Sequence, residues 1–136
     1  MDARPIGVFD SGVGGLTVLH ECLVTLPHED FLYFGDSSPE RFPYGPKPAA
    51  TIRRFAHEVA SHLAARDVKL LVVACNSATS AALPALRERL EGRVPLVTVV
   101  APESRLAASV TGNGRVGLIA TPATVASQAY ARELAA

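Results

Sequence analysis

An α/β fold, with a doubly wound parallel sheet of about five strands flanked by helices, follows from three observations. Short β-branched apolar runs recur along the chain, segments of helical periodicity lie between them, and the spacing from run to run leaves room for crossovers of a dozen or more residues. With 136 residues, and with no repeat, low-complexity tract or linker, the chain reads as one domain, 1–136.

The first strand is Pro5 to Phe9, and Leu16, Leu19, Leu23 and Leu26 then recur at helical spacing. Phe31 to Phe34 is the second strand. Ile52, Phe55, Ala56, Val59 and Leu63 place one apolar stripe on a helix from about Pro48 to Arg66. Leu70 to Ala74, Leu96 to Val100 and Val116 to Ala120 supply the third, fourth and fifth strands. Pro84, Pro95, Pro102 and Pro122 are expected at element boundaries, where a missing N–H costs least. The last helix, Pro122 to Ala136, runs to the final residue as ARELAA without a glycine cap, polar tail or returning strand. On that pattern the chain is expected to stop rather than finish.

Thirteen basic residues balance thirteen acidic ones, and neither sign is concentrated, so the electrostatic footprint of a nucleic-acid or anionic-membrane binder is missing. No apolar run approaches the ~20 residues of a membrane helix, and the start MDARPIGVFD lacks the pattern of a signal peptide. Two cysteines cannot build a secreted disulfide framework. A cytoplasmic protein with neither a nucleic-acid nor a membrane partner is the expectation.

Ligands of open α/β sheets bind at the carboxyl ends of the strands, and the residues there are polar. The first strand ends in Asp10-Ser11-Gly12-Val13-Gly14-Gly15, the second in Gly35-Asp36-Ser37-Ser38, the third in Cys75-Asn76-Ser77 and the fifth in Thr121-Pro122-Ala123-Thr124. Helix capping accounts for Asp36, Ser37 and Thr124. The glycine-rich turn invites a phosphate, yet GVGGLT lacks the third glycine of GxGxxG and the lysine of a P-loop, and an aspartate stands where phosphate charge would accumulate. An amino acid fits better, with Asp10 toward its ammonium and Ser11 offering a hydroxyl.

A thiol at a strand-to-helix junction feels the positive end of the helix dipole, which predicts a lowered pKa for Cys75 and a role as base or nucleophile. A buried core cysteine is the alternative, against which Asn76 and Ser77 count as hydrogen-bonding neighbours. Cys22, on the stripe of the first helix, reads as core. Cysteines this far apart, with no CxxC, HxxxH or HExxH, give no metal site, and His20, His28, His57 and His62 read as surface side chains. The segment Asp36 to Lys47 holds three prolines and a glycine and must be a rim loop. Its Tyr44 either lids a small polar ligand or packs the loop down.

Taken together, GVFDSGVGGLTV at Gly7 to Val18, LYFGDS at Leu32 to Ser37, PYG at Pro43 to Gly45, VVACNSAT at Val72 to Thr79 and GLIAT at Gly117 to Thr121 resemble the N-terminal half of the glutamate racemase family. The resemblance covers nearly the whole chain. It implies one of two similar lobes of a cofactor-independent isomerase that interconverts L- and D-glutamate and supplies D-glutamate for peptidoglycan, working as a homodimer. It also implies that Cys75 is a catalytic cysteine assisted by Asp10, and that Asp10 with Ser11, Tyr44 with Gly45, and Asn76 with Ser77 bind substrate. The same resemblance implies that Thr121 and Thr124 add contacts to the substrate carboxylate.

There are departures. Ser77 stands where the family more often has threonine, the loop Ser37 to Phe42 is slightly longer, and Val100-Ala101-Pro102-Glu103 replaces the commoner Ile-Glu-Pro-Gly. That last change is taken as lying outside the chemistry. Racemisation without a cofactor removes the α-proton on one face and returns a proton on the other, which needs two acid/base groups. The family's second cysteine lies in a Gly-Cys-Thr-His segment that this chain lacks. Cys22, on a packed stripe, cannot replace it, so the chain is expected to carry one catalytic face, with the C-terminal catalytic lobe absent. Aspartate or hydantoin racemases share the two-cysteine logic, and a flavodoxin-like binding module or a non-catalytic half that pairs with another chain are the readings from other classes.

Overall fold

The computed structural model describes residues 2–136. Four strands, β1 (Ile6–Asp10), β2 (Phe31–Gly35), β3 (Leu70–Val73) and β4 (Leu96–Thr98), form one sheet in the order β2-β1-β3-β4. All pairings are parallel, with Val8 opposite Tyr33 on one side and Val72 on the other. Each return is made by a helix: α1 (Leu16–Thr25), α2 (Ala49–Ala64) and α3 (Asn76–Leu90). After β4 come α4 (Val100–Val110), α5 (Pro122–Ser127) and α6 (Ala129–Ala135).

The period-two alternation of the strands divides the core in two. Phe9, Leu71 and Val73 face α2 and α3 and pack with Ile52, Phe55, Ala56, Val59, Leu63, Ala78, Ala82 and Leu86. Ile6, Val8 and Val72 face the other way, against Val18 and Leu19. The α2 stripe is buried as its spacing predicts. On the α1 side burial is thin: no residue of α1 is fully buried, and Leu16, Leu23, Val24 and Leu26 are exposed.

Four expectations need correction. Val116 to Ala120 is not a strand but an exposed, irregular segment, because the three-residue edge strand β4 does not pair with it and its backbone finds no ladder. The sheet therefore has four strands rather than about five. Pro84 lies inside α3, not at a boundary. The terminal helical segment is broken at Gln128, which adopts a left-handed conformation at φ 57° and separates α5 from α6. Cys22 is only partly buried, since a stripe of the right period is covered only where a neighbouring element covers it.

Candidate active site

The carboxyl ends of β1 and β3 open into a cavity of about 430 Å³ whose walls include Asp10, Ser11, Gly12, Phe42, Cys75, Asn76, Ser77 and Glu103. A slightly larger cleft of about 490 Å³ lies at the opposite end of α3, lined by residues such as Arg87, Leu90 and Arg93, and holds none of the rim residues. No group of three or more His, Cys, Asp or Glu with the geometry to hold a metal ion occurs among the described residues.

Asp10 organises the glycine turn. Its buried carboxylate accepts hydrogen bonds from the N–H groups of Gly12 at 3.1 Å and Gly15 at 3.0 Å. An internal carboxylate thus occupies the nest of N–H groups that a phosphate would otherwise need. A side chain at position 15 would put its Cβ 2.6 Å from the Asp10 Cβ, so only glycine lets α1 start this close to the strand.

Cys75 is the residue that caps α3. Its Sγ accepts a hydrogen bond from the N–H of Ala78 at 3.4 Å and donates to the Ser11 hydroxyl at 3.3 Å. With the thiol 5 % exposed, burial is the largest influence on its ionisation and pushes its pKa up. The Ser11 and Ala78 hydrogen bonds pull it down, and the negative charge of Asp10 adds to the rise. The sequence-based expectation of a lowered pKa is therefore reversed, because removal from water outweighs the help of the helix end. Tyr33, whose hydroxyl donates to the Gly12 carbonyl at 3.2 Å, is likewise pushed up to about 12 by burial and by the charges of Asp10 and Cys75.

Asn76 and Ser77 open α3 beside the sulfur. The Ser77 hydroxyl is 2.9 Å from that of Thr121, which is 3.0 Å from that of Thr124, so three hydroxyls join the start of α3 to the start of α5. Tyr44 and Gly45 do not line this cavity. Tyr44 is buried at 1 % exposure, packs against Phe9 and Phe55, and donates from its hydroxyl to Asp36 at 2.5 Å. The phenol holds the loop to the core rather than lidding a ligand, and Phe42, two residues earlier, reaches the cavity instead. Gly45 packs against Thr121, where a Cβ would stand 2.4 Å from Cγ2.

Two residues escaped the sequence reading. Glu103, taken as outside the chemistry, is part of the cavity wall, and Tyr130 reaches the site from α6. The β4–α4 junction, fourth in the series of strand ends, was the available signal for Glu103. Nothing local marks Tyr130.

The relation to known proteins follows from these same residues: 10–136 match the family described as Asp/Glu/Hydantoin racemase. The chain belongs to that family. This racemase-family chain is 52% identical over 134 residues to the glutamate racemase of Geobacter metallireducens, an alignment that takes in 98% of the chain and 48% of the relative. The crystal structure of the glutamate racemase from Thermus thermophilus in complex with β-chloro-D-alanine superposes with a TM-score of 0.85 at 55% identity, covering 97% of this chain and 49% of that one. That of the Francisella tularensis enzyme in complex with D-glutamate gives 0.88 at 41%, covering 98% and 49%. This racemase-family chain thus spans about half the length of the relatives it matches. Among its described residues, no helix is long and apolar enough to cross a membrane.

In the folded racemase-family chain the partly buried Cys22 is expected to react with iodoacetamide before the buried Cys75 does. Mass spectrometry of partially labelled protein checks the order, and faster labelling at Cys75 would mean that the thiol is more open than its burial indicates.

Proposed function

We propose that residues 1–136 form one lobe of a glutamate racemase, in which Cys75 exchanges the α-proton on one face of the substrate. The observation that carries this reading is the sulfur at the cavity wall, set between the Ser11 hydroxyl and the Ala78 N–H, with the Asp10 carboxylate nearby. As thiolate, Sγ takes the proton from the α-carbon. The C–H electron pair stays on the carbon skeleton and spreads into the adjoining carboxylate, and the S–H bond forms. Ser11 then turns from acceptor to donor whenever the sulfur is charged. Burial and Asp10 make that thiolate scarcer but a stronger base, which suits a weakly acidic C–H. No lysine or arginine is among the residues lining the cavity, whereas Asp10 and Glu103 are. This favours an ammonium group there, with substrate carboxylate toward the N-terminus of α3, whose first N–H groups have no intrahelical acceptor.

Proton return on the opposite face needs a second acid, which we assign to the half of the relatives that this chain does not span. On the same reading the enzyme uses no cofactor, works in the cytoplasm as a homodimer and supplies D-glutamate for peptidoglycan. A chimera joining this chain to the unmatched half of the Thermus thermophilus relative tests the proposal by circular dichroism. Decay of the D-glutamate signal is expected with the chimera and not with the 136-residue chain alone. Comparable turnover by the chain alone would overturn the one-lobe reading. Decay with D-aspartate or a hydantoin but not D-glutamate would move the activity within the family.

A further inference from the structure

Two residues of the cavity wall, Asn76 and Glu103, meet behind it on a third side chain from a distant part of the chain, Tyr130. The Tyr130 hydroxyl lies 3.0 Å from the side-chain oxygen of Asn76, 54 residues away, and also contacts the Glu103 carboxylate. Tyr130 is buried and Glu103 exposed. We infer that Tyr130, held by Glu103, is a positioning residue that keeps the Asn76 amide with its nitrogen on the tyrosine and its oxygen turned into the cavity.

The protons available to the three groups fix the orientation. A phenol has one proton to give, and burial together with Glu103 pushes the Tyr130 pKa well above the usual tyrosine range, so the proton stays. An ionised carboxylate can only accept. With the amide oxygen also on the phenol, two acceptors would compete for one proton while the phenol's own lone pairs went unused. Turning the amide over satisfies every group. The O–H donates to Glu103, the Asn76 nitrogen donates to the phenol oxygen, and the amide oxygen is left facing the cavity. There it adds a neutral acceptor to the charge of Asp10 and completes a receptor for an ammonium group. Glu103 is thus given a function at the position where the chain departs from its family's commoner sequence. This last step rests on the cavity being the substrate site; the orientation of the amide does not.

NMR of the 136-residue chain, with asparagine labelled in nitrogen-15, reads the orientation directly. A nuclear Overhauser effect is expected between an Asn76 side-chain N–H and the Tyr130 ring protons, with slowed exchange of that N–H. Both features should vanish in Tyr130→Phe and in Glu103→Ala and survive in Glu103→Gln, whose amide oxygen can still accept. The exposed Glu103 variants keep the test usable if Tyr130→Phe fails to fold. Absence of the Overhauser effect in the parent chain, or its persistence in Glu103→Ala, would overturn the inference. In the chimera, Tyr130→Phe should raise the KM for glutamate about tenfold with a smaller change in kcat, the size expected for one misplaced hydrogen bond. An intact Overhauser effect with an unmoved KM would uphold the positioning of Asn76 and overturn the substrate-site reading instead.

Discussion

Cys75→Ser is expected to cut glutamate racemisation by the chimera about 10²–10⁴-fold, the range contributed by a positioned acid/base group, while leaving the fold intact. The separation of the two effects comes from the cap. Serine is a better helix N-cap than cysteine, so its oxygen can take over the Ala78 N–H that Sγ now holds, and the start of α3 is preserved. What the hydroxyl cannot do is ionise, because an alcohol gives up its proton far less readily than a thiol even when burial raises the thiol. Activity should collapse while the unfolding free energy from urea titration stays within about 1 kcal/mol of the parent. A serine variant that retains a tenth or more of the activity would remove Cys75 from the chemistry.

Asp36→Ala is expected to be the most damaging polar substitution for stability, costing about 2–4 kcal/mol. Removing one partner of a buried, charge-linked group leaves the others unpaired, although here Arg41 is partly exposed and the cost is correspondingly below that of a fully buried pair. Asp36 is 6 % exposed. One of its oxygens takes the Tyr44 hydroxyl at 2.5 Å and lies 2.6 Å from the Arg41 Nε, an ion pair rather than an aligned hydrogen bond. Arg41 also stacks over Phe55 and pairs with Glu58, and Tyr44 packs on Phe55, so this one carboxylate holds the two loop side chains that tie the rim loop to α2. The same change should speed Cys75 alkylation, because Phe42 belongs to that loop and borders the cavity. Urea unfolding followed by circular dichroism gives the first number. A loss under about 1 kcal/mol would show that the loop is held without the Asp36 carboxylate.

The parts of the fold legible in the sequence are those whose signal is local and whose partners are themselves strong. β1, β2 and β3 are apolar runs flanked by turns, and each finds a neighbour of the same kind. The α2 stripe is legible because the sheet covers it. Val116 to Ala120 carries an equally good strand pattern, yet a strand exists only if another strand completes its hydrogen bonds, and periodicity does not report that. For the same reason Leu16, Leu23 and Leu26 repeat correctly and remain exposed, while Leu19 alone of that series packs on the sheet. At the site, Asp10, Ser11, Cys75, Asn76 and Ser77 were legible because strand ends converge in this topology. The inward turn of Tyr44 was not, since a phenol fits both a lid and a core and only Asp36, eight residues away, decides between them. Glu103 and Tyr130 depend on α4 and α6 packing together, a juxtaposition that no local pattern encodes.

Cys75 begins its helix with the same sulfur that stands at the cavity wall. A hydrogen bond to an anion is roughly twice as strong as one to a neutral acceptor, so the Ala78 N–H is drawn harder to a thiolate than to a thiol. Chemical state and backbone tension are therefore coupled at one atom. Each loss of the thiol proton tightens the first turn of α3, each return slackens it, and the helix serves as a gauge of where the proton is.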